Sequence, residues 1–323
     1  MPKLTFQQET FEITPSKSVL ENLLDRGYLI PNSCRAGICQ ACKVKLVSGA
    51  VLPQAQQGLP ATQVNAGIFL ACCCFPSDDL AVELVDASSV SHEAEVLDHF
   101  MLNQDVLCVR LETDFKWQAG QVINCIKDDT VIRSYSIASR SADGMIELHI
   151  RIYPHGRFGQ WIKHKVAIGD SLRIEAPFGD CVYDPASYQQ PLVMVATGTG
   201  LAPIYGVLKD ALANHHQAQI DLYVASGDYE GFYYLDKLDA LAQKHPQLKL
   251  HKVMRRGGEA SPANDIDIGN VEEIVLARHA SLKDHRVYLC GAPSMVAQLK
   301  KASFMRGAKM QDILCDAFEA AQS

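Results

Sequence analysis

Four cysteines near the start of the chain limit what it can fold into more than any other feature does. Cys34-Arg35-Ala36-Gly37-Ile38-Cys39-Gln40-Ala41-Cys42 is a C-x4-C-x2-C run, and a Cys72-Cys73-Cys74 triplet follows after a 29-residue gap. Three thiolates in one tight loop, with a fourth from a distant segment, is the spacing that suits a 2Fe-2S core. Two irons need four thiolates around a compact centre, while the loop's backbone N–H groups turn inward toward the sulfides. Gly37 and Ala36 let the backbone come that close. Two plainer readings compete: buried packing cysteines, or a zinc site, although paired C-x2-C knuckles mark zinc and one such pair is present. Only one thiol of the triplet can point into the loop.

The other cysteines, Cys108, Cys125, Cys181, Cys290 and Cys315, are scattered singly, and a total of eleven is high for 323 residues. Met1 to Thr10 lacks the basic segment and apolar stretch of a secretory leader, and nothing resembles an uncharged span of about 18 residues. A cytoplasmic protein without membrane insertion is expected. In that reducing compartment the cysteines call for metal ligation or burial rather than disulfides. The net charge of -7, with no Lys/Arg run, gives no footprint for nucleic acid and leaves room for small anionic cofactors in local basic pockets.

The chain is too long for one ordinary core and divides by pattern into three. Residues 1–88 read as a small α+β unit. Its strands are expected at Leu4–Phe6, Phe11–Ile13, Lys43–Val47, Ile68–Leu70 and Leu80–Val85. A helix from Val19 to Arg26 starts at the capping box Ser18/Glu21. Asp86 to Ser91 is short, polar and linker-like. Residues 92–186 carry strand-like runs at Val106–Leu111, Gln121–Ile126, Ile146–Ile152 and Ser171–Ile174, the spacing of a small antiparallel barrel. Residues 190–323 alternate strands (Leu192–Ala196, Ile220–Val224, Leu248–Val253, Arg286–Leu289) with helices (Ile204–Ala213, Leu235–Lys244), which predicts a doubly wound parallel α/β sheet.

Several motifs along these units resemble the ferredoxin-NADP reductase superfamily. Arg133-Ser134-Tyr135-Ser136 matches its R-x-Y-S signature, which implies that Arg133 pairs with a flavin phosphate, Tyr135 packs on the isoalloxazine and Ser136 hydrogen-bonds near flavin N5. The stretch from His149 through Arg151, Gly156 and Arg157 to Gly159 stands where the family has a strand and a G-x-x-S/T turn opening a helix. The helix N-terminus there would receive a pyrophosphate. Gly159 occupies the usual Ser/Thr position and removes a hydroxyl donor. Ala176-Pro177-Phe178-Gly179 is similar to the G-P-x-G turn after the last barrel strand. The resemblance favours FAD over FMN.

Thr197-Gly198-Thr199-Gly200-Leu201-Ala202-Pro203 follows an apolar strand and resembles the family's nicotinamide loop. Cys290-Gly291-Ala292-Pro293-Ser294-Met295-Val296 resembles its C-G-x-P-x-M-V motif. These imply a dinucleotide on Thr197, Gly198, Thr199, Gly200, Pro203, Gly291 and Met295. They also put Cys290 near the nicotinamide C4, orienting it without a covalent intermediate. Relatives often carry G-x-R within the stretch Tyr223-Val224-Ala225-Ser226-Gly227-Asp228, with Gly227 at the expected Arg position. The Arg clamp for a 2'-phosphate is missing, and Asp228 would accept from a free ribose hydroxyl, so NADH is expected. Arg255-Arg256 is the one basic pair that would reverse this. Phe318, in the terminal segment, would cover the flavin edge or pack on a helix face.

Taken together, these motifs resemble the reductase components of bacterial multicomponent oxygenases, with an N-terminal plant-type 2Fe-2S ferredoxin domain ahead of flavin and nicotinamide domains. In that resemblance Cys72, which follows Leu70-Ala71, is the fourth ligand beside Cys34, Cys39 and Cys42. NADH would give hydride to FAD, and single electrons would leave through the cluster to a terminal oxygenase or another acceptor protein. Ser136 and Cys290 would lie nearest the chemistry. A reductase for sugar deoxygenation or for a desaturase would share every motif. A non-enzymatic ferredoxin-like carrier or redox sensor with decayed nucleotide sites is the remaining alternative.

Overall fold

The computed structural model describes residues 2–32, 34–85, 91–128, 130–255 and 265–318. A hairpin of β1 (Lys3–Phe6) and β2 (Glu9–Glu12) opens the chain, its tight turn placing Gln7 and Gln8 at φ 48° and 71°. Helix α1 (Val19–Asp25) begins where Ser18 Oγ accepts from Glu21 N at 3.2 Å and the Glu21 carboxylate accepts from Ser18 N at 2.8 Å. Two donors that the helix cannot satisfy internally are thereby paired. Strands β3 (Lys43–Ser48), β4 (Ile68–Leu70) and β5 (Leu80–Leu84) complete a sheet of order β2-β1-β5-β3-β4. Val19, Leu20 and Leu23 of α1 are buried in its core with Leu4, Phe6 and Phe69. A short helix, α2 (Ala61–Asn65), lies within the excursion before β4.

The second sheet holds β6 (Ser91–Met101), β7 (Val106–Glu112), β8 (Val122–Asp128), β9 (Val131–Ser136), β10 (Ile146–Arg151) and β11 (Ser171–Glu175). Its order is β10-β7-β6-β11-β8-β9, every pair antiparallel, and an Ile137–Leu148 bridge joins the two edges into a barrel. Helix α3 (Arg157–Lys165) plugs one side with Phe158 and Ile162. The first of these strands was not among the expected ones. Residues 86–90 of the expected linker lie outside the described residues, and β6 starts at Ser91 itself.

The third unit alternates β12 (Leu192–Thr197), α4 (Leu201–Ala213), β13 (Ile220–Ser226), α5 (Leu235–Lys244), β14 (Leu248–Met254), β15 (Ile266–Ile268), α6 (Val271–Arg278), β16 (Arg286–Gly291), α7 (Pro293–Met305) and β17 (Ile313–Ala317). All strands run parallel in the order β15-β14-β13-β12-β16-β17. Leu192, Met194 and Ala196 of β12 enter one core while Val193 and Val195 enter another on the opposite face. A strand buried on both sides reads as one apolar run, which is why β12 stood out in the sequence. The order reverses between β12 and β16, where an open α/β sheet leaves a crevice at its strand ends. Among the described residues no helix is long and apolar enough to cross a membrane.

Candidate redox site

The cysteine loop turns through positive φ at Arg35 (51°), Gly37 (79°) and Gln40 (54°), which folds its thiols inward. Backbone N–H groups of Ala36 and Cys39 point at Cys34 Sγ, 3.4 and 3.2 Å away, and that of Cys34 points at Cys39 Sγ at 3.4 Å. Cys34 and Cys39 thus lie side by side, and Cys72 lies close to Cys42. The neighbouring Cys39 thiol and the inward N–H groups hold the Cys34 thiol below its ordinary value, while the Cys34 thiol and burial raise Cys39. Two thiol pairs ringed by inward N–H groups fit a two-iron core with two thiolates for each iron. Cys73 Sγ stands 3.6 Å from Cys72 Sγ and occupies the space a side chain on Gly37 would need, 2.7 Å from a Cβ there. Cys74 turns into the apolar core.

A cavity of about 490 Å³ opens between this loop, the barrel and β17. Arg133, Tyr135, Ser136, Gly156 and Arg157 line it, and Cys34, Ile38 and Cys39 form its wall on the cluster side. Arg133 donates to the Ile132 carbonyl at 2.8 Å and Arg157 to Thr130 Oγ1 at 2.8 Å. Among the described residues neither guanidinium has a carboxylate partner, and both line a largely apolar space. That combination fits an aromatic ring system carrying phosphates. Helix α3 starts at Gly156, its N-terminus on the cavity. A Cβ on Gly159 would sit 3.2 Å from Ile152 Cδ1 and 3.4 Å from the Arg151 carbonyl, a close fit of α3 on the strand end that a small shift of the Ile152 side chain would relieve. Ser136 Oγ donates to Asp316 Oδ2 at 2.5 Å. Burial pushes the Asp316 carboxyl up to about 6, against the lowering effect of that bond.

The second cavity, about 520 Å³, lies at the β12/β16 reversal and is lined by Thr197, Gly198, Thr199, Asp228, Gly291 and Met295. Thr197 Oγ1 accepts from Ala292 N at 2.8 Å and ties the two loops together. Asp228 Oδ1 accepts from Gly231 N at 3.0 Å, and a Cβ on Gly227 would meet nothing within 4 Å, so open space lies beside it. Arg255 also lines this cavity; Arg256 lies outside the described residues. Arg151, Tyr153, Thr199 and Phe318 line both cavities, which therefore share a wall. Phe318 is fixed there by its N–H, which donates to the Gly291 carbonyl at 2.7 Å.

Three family descriptions tile the chain: a 2Fe-2S iron-sulfur cluster binding domain over residues 4–77, an oxidoreductase FAD-binding domain over 82–183 and an oxidoreductase NAD-binding domain over 194–301. The terephthalate 1,2-dioxygenase reductase component 1 of Comamonas is 31% identical over 320 residues, spanning 95% of this chain and 94% of the relative. The chain belongs to the iron-sulfur flavoprotein reductases. The ferredoxin–NAD(P)+ reductase component of the naphthalene 1,2-dioxygenase system of Pseudomonas putida is 29% identical over 310 residues, 93% of either chain. A solved Amycolatopsis cytochrome P450 reductase matches with a TM-score of 0.68 at 26% identity, covering 100% of both chains. The reductase thus carries FAD and a 2Fe-2S cluster and oxidises NAD(P)H.

Not every motif residue of the reductase reaches a cavity. Gly200, Pro203 and Cys290 stand behind the walls. Gly200 is pressed against the Cys290 carbonyl, Pro203 is buried in the first turn of α4, and Cys290 is fully buried with its Sγ 3.8 Å from Cys181 Sγ. Burial and the Cys181 bond hold the Cys290 thiol well above its ordinary value. His149 belongs to the flavin cavity's wall, yet both ring nitrogens are engaged, with Tyr233 OH at 3.1 Å and Glu147 Oε1 at 3.2 Å. The terminal segment is strand β17, not a helix face, and this is what carries Phe318 to the shared wall. Sequence reading passed over Asp316 and Tyr153. A carboxylate inside an otherwise apolar strand was the available signal for Asp316.

Proposed function

We propose that the reductase takes electrons from NADH and delivers them, through FAD and its 2Fe-2S cluster, to a terminal oxygenase or a similar acceptor protein. The observation that carries this reading is the series arrangement. The nucleotide cavity shares Arg151, Tyr153, Thr199 and Phe318 with the flavin cavity, and the flavin cavity is walled by Cys34 and Cys39 of the cluster loop. When bound, FAD accepts an electron pair as hydride and releases electrons singly, which a one-electron cluster requires.

Cys34, Cys39, Cys42 and Cys72 hold the cluster. Arg133 and Arg157 neutralise the flavin phosphates beside the N-terminus of α3, Tyr135 packs on the ring, and Ser136 with Asp316 faces its reacting edge. Thr197, Gly198, Thr199, Gly291 and Met295 receive the dinucleotide, with Asp228 as acceptor for the ribose. Cys290 acts from behind the wall, and Phe318 must move for nicotinamide to stack on flavin. The domain limits belong to the same proposal: 1–88 for the cluster, 92–186 for FAD and 190–323 for NADH, a division supported by the three separate sheets. A cytoplasmic location accords with eleven cysteines that are all free.

The test is an anaerobic addition of NADH to the purified holoprotein. Flavin and iron-sulfur absorption should bleach together and recover when a one-electron acceptor protein is added. Bleaching of flavin alone, with the cluster left oxidised, would defeat the proposal.

A further inference from the structure

Lys43 directly follows Cys42, yet its side chain leaves its own sheet and ends in the flavin barrel. Its Nζ donates to Glu175 Oε2 at 2.7 Å, and both side chains are more than nine-tenths buried, 7% and 8% exposed. Glu175 is the last residue of β11, and the same Oε2 accepts from Asn124 Nδ2 of β8 at 2.8 Å. Asn124 Oδ1 accepts the Ser134 hydroxyl at 2.7 Å, and Ser134 Oγ lies 3.3 Å from the Cys39 carbonyl, which takes a share of the same proton. The chain of bonds leaves the cysteine loop beside Cys42, crosses three barrel strands and returns to the loop at Cys39. Ser134 sits between Arg133 and Tyr135, so one strand faces both the flavin cavity and the cluster loop.

An apolar patch would hold two domains together at least as well, because taking two charges out of water offsets most of their attraction. What the ion pair adds is direction. An apolar surface tolerates sliding, whereas a buried ammonium that loses its carboxylate is left uncompensated.

We propose that Lys43, Glu175, Asn124 and Ser134 are positioning residues that lock the iron-sulfur domain against the flavin barrel in the geometry needed for flavin-to-cluster electron transfer. The proposal rests on ligation by Cys39 and Cys42. A protein that lost that ligation would lack the cluster's absorption, so the two failures read differently.

The test uses Lys43→Met and Glu175→Gln holoproteins, each assayed for cofactor content and mixed anaerobically with NADH in a stopped-flow instrument. Flavin should be reduced at the wild-type rate while cluster reduction slows severalfold, because electron transfer falls steeply as two cofactors move apart. As a measurement independent of turnover, amide hydrogen exchange of the resting holoproteins should speed up around residues 39–43. If Lys43→Met does not yield protein with both cofactors, Glu175→Gln, which keeps the size and leaves the buried Lys43 without its counter-charge, decides alone. Wild-type cluster reduction in a fully loaded variant overturns the proposal, as does an equal slowing of flavin and cluster reduction.

Discussion

Replacing Gly200 by Ala separates two explanations of the nucleotide loop's glycines. The backbone at Gly200 is right-handed, φ -59° and ψ -14°, so alanine suits the conformation and only space is at issue. A Cβ there would meet Cys290 O at 2.2 Å, Cys290 C at 2.4 Å and Gly291 N at 2.7 Å, all backbone atoms of β16. No flexible side chain can yield, so the loop or the end of β16 must retreat by roughly 1 Å. Overpacking of this kind costs about 1–3 kcal/mol, and rigid backbone on both sides puts this site near the upper end. At about 2–4 °C per kcal/mol, the nicotinamide domain should melt roughly 5–10 °C lower. The displaced β16 end carries Gly291, whose carbonyl holds Phe318, so KM for NADH should rise as well.

Gly227→Ala is the internal control. Nothing lies within 4 Å of a Cβ at that position, and the change should stay within about 0.5 kcal/mol. Thermal denaturation followed by steady-state kinetics would compare the two variants side by side. If Gly200→Ala matches Gly227→Ala in melting temperature and KM, the steric argument for this loop is wrong.

Four other outcomes follow from the site. Cys72→Ser should abolish or strongly perturb the cluster's absorption, whereas Cys73→Ser and Cys74→Ser should leave it; a normal spectrum in Cys72→Ser would reassign the ligand. Arg133→Ala should release FAD during purification with the cluster retained, an assignment refuted by full flavin occupancy at unchanged affinity. With an artificial acceptor, kcat/KM should favour NADH over NADPH by at least about tenfold, some 1.4 kcal/mol, because no guanidinium stands at Gly227. Equal use of NADPH would contradict this, and Gly227→Arg with Asp228→Asn should narrow the gap. Burial raises the Glu147 carboxyl, but bonds from His149 and Arg110 outweigh it and hold it at about 2, while burial lowers His149 below 6.5. In both cases the unfolded chain binds more protons, so stability falls as pH drops below 6.5 and falls further from 4.5 towards 2. Urea midpoints read from Trp117 and Trp161, both in the barrel, should show this acid loss, and Glu147→Gln should shrink the lower limb, to which Asp128 and Asp143 of the same barrel also contribute; an unchanged limb would exclude Glu147.

Features set by neighbours in sequence were legible, and features set by distant partners were not. The capping box at Ser18 and Glu21 works over three residues, and the apolar run of β12 reports burial on both faces of one sheet. Strand β6 was obscured because its exposure pattern is mostly polar and a register shift between Val96 and Asp98 breaks the two-residue period. The site divides in the same way. Spacing was enough to mark Cys34, Cys39 and Cys42, whereas Asp316 matters through Ser136, 180 residues away, and Lys43 through Glu175, 132 residues away. Motif membership also proved to carry two meanings. Thr197 and Gly198 line the nucleotide cavity, while Gly200 lets the loop after β12 press against the end of β16, and Gly291 does both, lining the cavity and leaving room for Thr197. A glycine motif records every position where a side chain is forbidden, and it does not distinguish exclusion by a ligand from exclusion by a neighbouring strand.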